Sequence, residues 1–562
     1  MAPSSSSPTA MDSQIQAIID DVVDKSGVPF RARRAHTHAT WAKTFSSRPE
    51  LYLEPETQEE VEQVVRLARL CRRRLVPVGH AHSPSTLTCT SNWMLSLDKM
   101  NRILSFDDAT GVATMQAGIR LFQLSDELAR RGFAMPIMGS VNEQSIAGVI
   151  STGTRGSSLK HGLLSESITS LKITLGSGQT AECSATEDPD LFRAALLSLG
   201  ALGIITEVTF RAVPAFALRW DQRIDTDARV LATWDTTLWT QADFVRVWWL
   251  PYTRRAVLWK ADAVPQADLD SGRERLRDPP VGYYDGALGY HIYHNLLALA
   301  RWVPRIVPWI EWFVFGLQYG FRNGEATRTS AVQPSAKAFW MNCLYSQYVT
   351  EWAIPLARGP EALARLGAWL NRLQPGDPGY VNHGIPFSAE GVYVHSPVEV
   401  RVCDGRARTP SAARPWLDST VKDGPTLNIN ATMYRPYLRD PPGLDRWFAG
   451  FEWLMRDLGG RPHWAKNFGV SAEQLADWYG DDLTQWRRVR DKADPDGLFV
   501  GPWHRQHVLD PAAPRYPAEE RETGRVSAGA QTGVTVLGDV QSVKAGEAAV
   551  HSRQDSGVSA VQ

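Results

Sequence analysis

The apolar and polar positions in the N-terminal part of the chain recur with the periods of short helices and strands. Val61, Val64, Val65 and Ala68 share the spacing of one helix face. This helix is predicted to begin after Thr57, which stands in capping-box spacing before a glutamate. Strand-like and helical stretches then follow one another, so the pattern predicts a mixed α/β region.

Four further stretches extend this pattern. Residues 75–78 predict a strand that leads into a turn, residues 121–131 predict a helix, and residues 170–175 and 204–210 alternate like strands. From residue 216 onward tryptophan and strand-like segments become more frequent, which indicates a second domain.

The expected organisation has five parts. Residues 1–36 are a flexible N-terminus, 37–215 a first α/β domain, 216–430 a second domain, 431–508 a return segment that completes the first domain, and 509–562 a disordered tail. The tail is predicted to be disordered because its composition is too polar and small to bury much surface.

Composition narrows the class of protein. The 562 residues are 43% hydrophobic and 22% charged with a net charge of −1, so the chain is globular and no nucleic-acid partner is expected. Five cysteines without a C-x-x-C motif predict a reducing compartment, no structural disulfide and no metal site.

Residues 296–321 are the one stretch that could touch a membrane. Arg301, Arg305 and Glu311, together with two prolines, argue against a spanning helix. Two interpretations remain open: a buried helix pair of the second domain, or an interfacial segment that makes peripheral membrane contact.

The first segment that carries chemistry is the turn after residues 75–78. Its small residues allow backbone N–H groups to approach a phosphate closely. Its neutral imidazoles are nucleophilic near pH 7, and one beside a flavin could bond to the ring methyl group through a quinone-methide tautomer. The alternative is a loop whose histidines only satisfy local hydrogen bonds. The residues concerned are Val78, Gly79, His80, Ala81, His82 and Ser83.

Three later segments add to this turn. Residues 139–158 are rich in Gly, Ser and Thr and could bind a pyrophosphate, or could be only a connection. Strand alternation places Glu399 and Arg401 on one face, where they could grip hydroxyl groups of a polyol or lactone, or form a surface ion pair. Lys466 could stabilise negative charge on a reduced flavin, or be simply exposed.

Together the four segments resemble the vanillyl-alcohol-oxidase flavoprotein superfamily. Within it they are similar to the aldonolactone oxidases, most closely the fungal D-arabinono-1,4-lactone oxidases, over about residues 37–504. The resemblance implies an α+β fold, in which a two-lobed FAD-binding domain of vanillyl-alcohol-oxidase type carries a mixed α/β substrate cap domain. Residues 200–206, 434–437 and 451–454 also match this branch.

The resemblance implies covalent FAD attached through His82, with Glu399, Arg401 and Lys466 as catalytic residues. A lactone would be oxidised at C2 by hydride transfer to flavin N5, and dioxygen would be reduced to hydrogen peroxide, giving an ascorbate-type product. Glu399, His463 and water are all candidates for the proton acceptor. The cofactor-binding residues it implies are Val78, Gly79, His80, Ala81, His82, Ser83, Gly139, Ser140, Gly148, Ser151, Thr152, Thr154, Gly156, Ile205 and Lys466.

Other functions fit the same segments. They are an alditol or other sugar oxidase, a lactone dehydrogenase that uses a cytochrome, and a non-catalytic flavin-binding scaffold. A small residue at Gly139 would admit oxygen to the flavin and favours an oxidase. Family resemblance places the protein at a mitochondrial membrane, through residues 296–321, and a cytoplasmic location is the alternative.

The chain departs from the family pattern at two positions. Ala81 replaces a glycine, and its extra methyl group is expected either to be tolerated, if φ stays negative, or to strain the loop. Arg155 replaces a histidine, and we expect it to meet a phosphate of FAD.

Overall fold

Strands and helices alternate along most of the chain, in a computed structural model that describes residues 13–283, 286–406, 414–510 and 523–526. The strands are β1 (Ala32–Arg33), β2 (His38–Ala39), β3 (Phe45–Ser47), β4 (Leu51–Leu53), β5 (Leu75–Val78), β6 (Trp93–Ser96), β7 (Ile103–Asp107), β8 (Val112–Gln116), β9 (Phe133–Ala134), β10 (Ile168–Leu175), β11 (Thr180–Ser184), β12 (Gly203–Arg211), β13 (Val213–Pro214), β14 (Phe216–Thr226), β15 (Phe244–Leu250), β16 (Arg255–Pro265), β17 (Thr329–Pro334), β18 (Gln347–Pro355), β19 (Val398–Cys403), β20 (Thr426–Tyr434), β21 (Arg461–Pro462) and β22 (Gly524–Arg525). The helices are α1 (Ser13–Ser26), α2 (Gln58–Leu70), α3 (Leu121–Arg130), α4 (Ile146–Ser151), α5 (Pro189–Ala195), α6 (Asp227–Ala232), α7 (Gln266–Asp270), α8 (Ala287–Ala300), α9 (Val307–Tyr319), α10 (Ser335–Phe339), α11 (Gly359–Leu370), α12 (Leu444–Asp457), α13 (Ala472–Tyr479), α14 (Asp481–Ala493) and α15 (Pro502–His507).

The first lobe is built on two sheets. One has the order β1-β4-β6-β5, and its β4, β6 and β5 run parallel. The other is antiparallel with the order β11-β10-β12-β8-β7. Helix α2 packs against β10 and β12, and its N-cap Thr57 accepts a hydrogen bond from the backbone N–H of Glu60, as the capping pattern predicts.

The second lobe is an eight-stranded antiparallel sheet in the order β17-β14-β16-β15-β19-β20-β18-β21. The site strands β19 and β18 flank β20 in its interior. Helices α11 and α12 pack against each other, and α12 also packs on β18 and β20. The larger sheets are antiparallel and are covered by helices, which confirms the predicted α+β fold class.

The C-terminal part of the chain serves both lobes. Strand β20 runs through residue 431, and β21 pairs with β18, so residues 431–462 extend the large sheet instead of returning at once to the first lobe. The return comes later: α14 packs on α5, and the backbone N–H of Leu75 donates to the carbonyl of Leu498. The expected domain boundary at residue 430 falls inside β20. The buried residues Leu427, Ile429, Ala431 and Met433 alternate along this one strand on both sides of the boundary.

Both chain ends differ from the expectation where the structure describes them. Helix α1 lies in the segment expected to be flexible, and Ile15 and Ile19, one turn apart, bury its apolar face against α2. In the expected disordered tail, β22 (Gly524–Arg525) pairs with β3, and Arg435 donates a hydrogen bond to the carbonyl of Val526. Residues 1–12, 511–522 and 527–562 lie outside the described residues.

Residues 296–321 fold as the packed helix pair α8 and α9, separated by a short 3₁₀ turn. Glu311 on α9 is buried and accepts hydrogen bonds from the backbone N–H of Thr253 and the hydroxyl of Ser396. Burial raises the pKa of Glu311 to about 7. None of the helices in the described part of the chain is both long and apolar enough to cross a bilayer.

Candidate functional site

A cleft opens in the first lobe where β5 ends. The predicted turn forms one wall, and α4 with the start of β12 forms the other. Of the residues expected to bind the cofactor, these line the cleft: Val78, Gly79, His80, Ala81, His82, Ser83, Gly148, Ser151, Thr152 and Ile205.

The turn passes very close to the opposite wall. A Cβ atom at Gly79 would lie 1.9 Å from Oγ of Ser145, so only glycine fits this position. Ala81 has φ +52°, and its carbonyl accepts a hydrogen bond from the backbone N–H of Trp41. The condition of a negative φ is therefore not met, and Ala81 takes a left-handed conformation that strains the loop, the other outcome expected from the sequence.

His82 is held in the cleft with free bonding capacity. Its side chain is only 6% exposed, yet among the described residues neither ring nitrogen has a hydrogen-bond partner. Trp41 stacks on the ring at a centroid distance of 5.5 Å, and Oε2 of Glu143 lies 3.7 Å from Nε2. Burial lowers the pKa of His82, which keeps the imidazole neutral and nucleophilic at pH 7.

Four other predicted cofactor residues lie behind the cleft wall or beside it. Thr154 is buried next to Gly139, where an added Cβ would come within 3.0 Å of the Thr154 methyl group. The carbonyl of Ser140 accepts from the backbone N–H of Met341, which joins the two lobes. Gly156 has a packing role, since a Cβ there would collide with Ile137 at 2.3 Å.

A second cluster lies on the large sheet. Glu399 and Arg401 share one face of β19, as strand alternation predicts, and Nε of Arg401 lies 3.5 Å from Oε2 of Glu399. Sequence reasoning missed the third member, Glu351 on β18, which is fully buried. Its Oε2 accepts a hydrogen bond of 2.9 Å from Nη2 of Arg401. The signal that could have revealed Glu351 is a single charged residue within an apolar strand.

Arg155 joins this cluster instead of the cleft. Its guanidinium is buried, donates to Oε1 of Glu351 at 3.2 Å and to Oγ of Ser419 at 3.3 Å, and does not line the cleft. The expectation that Arg155 meets a phosphate of FAD is therefore not met in this arrangement. A buried carboxylate needs paired charge, and Glu351 draws the guanidinium away from the cleft.

The positive charges around Glu351 outweigh the effect of its burial. Burial alone would raise the pKa of this carboxyl, but Arg401, His463 and Arg155 outweigh that effect and hold it far below its usual range. Conversely, burial would lower the pKa of Arg401, and the two neighbouring carboxylates raise it. The opposite charges of Glu351 and Arg401 therefore favour the ionised form of each other.

Lys466 reaches the same cluster through the loop after β21. The backbone N–H of His463 donates to the carbonyl of Glu351, and that of Lys466 donates to the carbonyl of His463. Burial lowers the pKa of Lys466, and Glu351 opposes this. The alternative of a simply exposed lysine does not hold, because Lys466 lies among buried charges.

Cys343 connects the second cluster with the cleft. Lys466, Glu399, Arg401 and Glu143 all lie close enough to act electrostatically on its thiol, so Cys343 stands between the second cluster and the residues beside His82. Burial raises the pKa of Cys343 to about 11, which keeps the thiol protonated. Sequence reasoning missed this residue, since an isolated cysteine carries no pattern.

These features fit an FAD. The close backbone approach at Gly79 can admit a pyrophosphate, and the imidazole of His82, which has no hydrogen-bond partner among the described residues, can meet a ring placed beside it. Fold and site together define an FAD-dependent oxidoreductase of the vanillyl-alcohol-oxidase type.

Comparison with known proteins supports this class of protein. The family model described as "D-arabinono-1,4-lactone oxidase" matches residues 208–507, and the model described as "FAD binding domain" matches residues 49–184. The chain belongs to the D-arabinono-1,4-lactone oxidase family and binds FAD.

Relatives match nearly end to end. A Neurospora crassa protein, whose name assigns it provisionally to this activity, is 59% identical over 94% of this chain and 97% of its own length. The D-arabinono-1,4-lactone oxidase of Yarrowia lipolytica is 40% identical over 84% of this chain and 96% of its own length. A cholesterol oxidase structure from Brevibacterium sterolicum superimposes with a TM-score of 0.71 at 16% identity, covering 86% of this chain and 99% of its own, which supports the fold alone.

Proposed function

We propose that the protein oxidises an aldono-1,4-lactone of the D-arabinono-1,4-lactone type at C2, with dioxygen as the electron acceptor and hydrogen peroxide as a product. Family membership and the names of the relatives support the reaction. The observation that carries it is the cluster of Glu399, Arg401 and Lys466 around Glu351, which approaches the same thiol, Cys343, as Glu143 beside His82.

Bound FAD would supply the two-electron chemistry: it takes hydride from the substrate and passes two electrons to dioxygen. Arg401 and Lys466 supply fixed positive charge where negative charge develops on the substrate oxygen and on the reduced ring. Because Glu351 and the sheet hold Arg401 in place, little reorganisation is needed at the moment of reaction.

The residues narrow the choice of proton acceptor for the C2 hydroxyl. Nδ1 of His463 accepts a hydrogen bond from the backbone N–H of Ala465, so the ring proton stands on Nε2 and no basic nitrogen remains free. Oε1 of Glu399 is buried and has no hydrogen-bond partner among the described residues. We therefore assign Oε1 of Glu399 as the acceptor of the C2 hydroxyl proton, either directly or through one water molecule.

The test is the visible spectrum of the purified protein without oxygen. D-arabinono-1,4-lactone should bleach the flavin absorbance, and air should restore it with one hydrogen peroxide per lactone consumed. A flavin that stays oxidised with the lactone and is bleached by an open-chain alditol would overturn the assignment. Reoxidation by a cytochrome but not by air would make the protein a dehydrogenase.

Covalent attachment of FAD through His82 is part of the proposal. The burial of the ring and its two unpartnered nitrogen atoms support it. Denatured wild-type protein should retain flavin fluorescence on a gel, and His82→Ala should release the flavin on denaturation. Complete release from denatured wild type would exclude the bond.

Peripheral membrane contact through α8, α9 and their connection is proposed as well. We define the tryptophan patch as Leu299, Trp302, Val303, Trp309 and Trp312, of which Trp302 is 79% exposed and Trp309 50% exposed. Exposed tryptophans beside arginines suit the headgroup level of an anionic bilayer, and neighbouring Arg301 and Arg305 provide that charge. Together with the family resemblance, the patch favours the surface of a mitochondrial membrane over the cytoplasm.

Vesicle sedimentation tests the contact. Wild type should sediment with vesicles of mixed neutral and anionic lipid, and the double variant Trp302→Ser, Trp309→Ser should stay in solution with unchanged lactone oxidation. The matched control is Tyr380→Ser, an exposed aromatic residue outside the patch. Equal sedimentation of all three proteins would exclude this surface as the contact.

A further inference from the structure

Glu143 stands beside the histidine expected to carry the flavin, and the proposed reaction gives it no task. Its Oε2 lies 3.7 Å from Nε2 of His82, and across the described residues this carboxylate makes no other ion pair. It is the one negative charge in a Gly- and Ser-rich wall that is otherwise suited to an anion. A carboxylate there would repel a phosphate, so the position calls for another explanation.

The second observation is the state of the His82 ring. The ring is nearly buried, and within the part of the chain that the structure describes neither nitrogen has a hydrogen-bond partner and only Nε2 has a carboxylate close by. A carboxylate at that distance selects the tautomer with the proton on Nε2, because the group facing one nitrogen decides which nitrogen is protonated. The lone pair is then left on Nδ1.

The other charged groups near His82 are already engaged. Oδ1 of Asp98 lies 3.5 Å from Nδ1 of His80 and 3.8 Å from Nη2 of Arg120. Trp41, stacked on the ring, carries no charge. Glu143 is therefore the carboxylate available to His82.

We propose that Glu143 is the positioning residue for covalent attachment of FAD: it holds the Nε2 proton of His82 and leaves Nδ1 to form the bond to the 8α carbon of the flavin. This inference rests on the proposed attachment through His82. When the bond forms, one proton leaves the 8α methyl group and the imidazolium that results loses the other to Glu143. The two electrons left on the ring pass to dioxygen, giving hydrogen peroxide.

The test measures the covalent attachment of FAD and not catalytic turnover. Apoprotein from flavin-limited cells is mixed with FAD, and the flavin that stays with acid-precipitated protein is measured over time, with the added mass of one FAD as a second readout. Glu143→Gln should bind FAD but attach it at least about tenfold more slowly, the scale typical of lost orienting partners. Glu143→Asp should recover part of the rate. Glu127→Gln, which removes an exposed carboxylate on α3, should behave like wild type.

Each other result has a defined meaning. Attachment by Glu143→Gln at the wild-type rate would overturn the inference. So would a folded Glu143→Gln protein that no longer binds FAD, since the carboxylate would then serve binding. Wild type without covalent flavin would overturn both this inference and the His82 bond. In that case, bleaching of the dissociable flavin by lactone would still leave the proposed oxidation standing.

Discussion

Replacing Glu351 by glutamine removes the central negative charge of the site without changing its shape. Glu351 is fully buried and accepts from Arg155 at 3.2 Å and from Arg401 at 2.9 Å. The variant leaves two guanidiniums inside the protein with Glu399 as the remaining nearby carboxylate. Breaking a buried ion pair from one side costs about 3–5 kcal/mol, and we expect a loss of this size in the free energy of unfolding.

The control is Glu361→Gln on α11. Glu361 also bridges two arginines, Arg358 at 2.9 Å and Arg365 at 3.0 Å, but its side chain is 41% exposed. Solvent screens such pairs, so this variant should lose less than about 1 kcal/mol. The two variants thus share the chemical change and differ in burial.

The assay is denaturant unfolding followed by tryptophan fluorescence, repeated as the pH is lowered. The pKa of Glu351 is held below its unfolded value, so its contribution is complete above about pH 4.3 and is lost as the pH falls below that value. The gap between wild type and Glu351→Gln should therefore shrink in acid. Equal stability of the Glu351 and Glu361 variants at neutral pH, or a gap that does not change with pH, would refute the reasoning.

Three further predictions follow from the same geometry. Lys466→Met should slow anaerobic flavin reduction by lactone by about 100-fold or more while FAD stays bound, and an unchanged rate by stopped-flow spectroscopy would remove Lys466 from the reaction. Ala81→Gly should raise the free energy of unfolding by up to about 1 kcal/mol, because φ is +52° there, and a measured loss would show that the alanine is not strained. Gly139→Ala places a Cβ 3.0 Å from the Thr154 methyl group and should slow reoxidation by dioxygen more than reduction by lactone. Equal effects on the two half-reactions would argue that Gly139 does not control oxygen access.

Local patterns predicted the parts of the fold that depend on neighbours in sequence. The helix after Thr57, the strand before the His82 turn and the shared face of Glu399 and Arg401 are all present. Each follows from a period or a cap that is readable within a few residues. Helix α1 is the exception: Ile15 and Ile19 carry a helical period that was outweighed by the Ser- and Pro-rich residues before it.

The members of the site that were missed depend on distant contacts. Arg155 and Glu351 are separated by 196 residues, and Glu351 and Arg401 by 50. Nothing in the sequence near Arg155 distinguishes a phosphate ligand from a partner for a carboxylate on another lobe. The burial of Glu351 decides which partner Arg155 takes. An unpaired carboxylate inside the sheet would cost far more free energy than a phosphate bound by backbone N–H groups alone.

The same contact explains how the cap and the first lobe are kept in register for chemistry. Arg155 follows the α4 wall of the cleft along the chain, Glu351 belongs to the large sheet, and Glu351 also binds Arg401. Any shift between the lobes would separate Arg155 from Glu351 and leave buried charge unpaired, which opposes the shift by several kcal/mol. The Arg155–Glu351 ion pair therefore fixes the position of Arg401, the guanidinium proposed to act on the substrate, relative to the first lobe, although neither residue of the pair needs to touch substrate or cofactor.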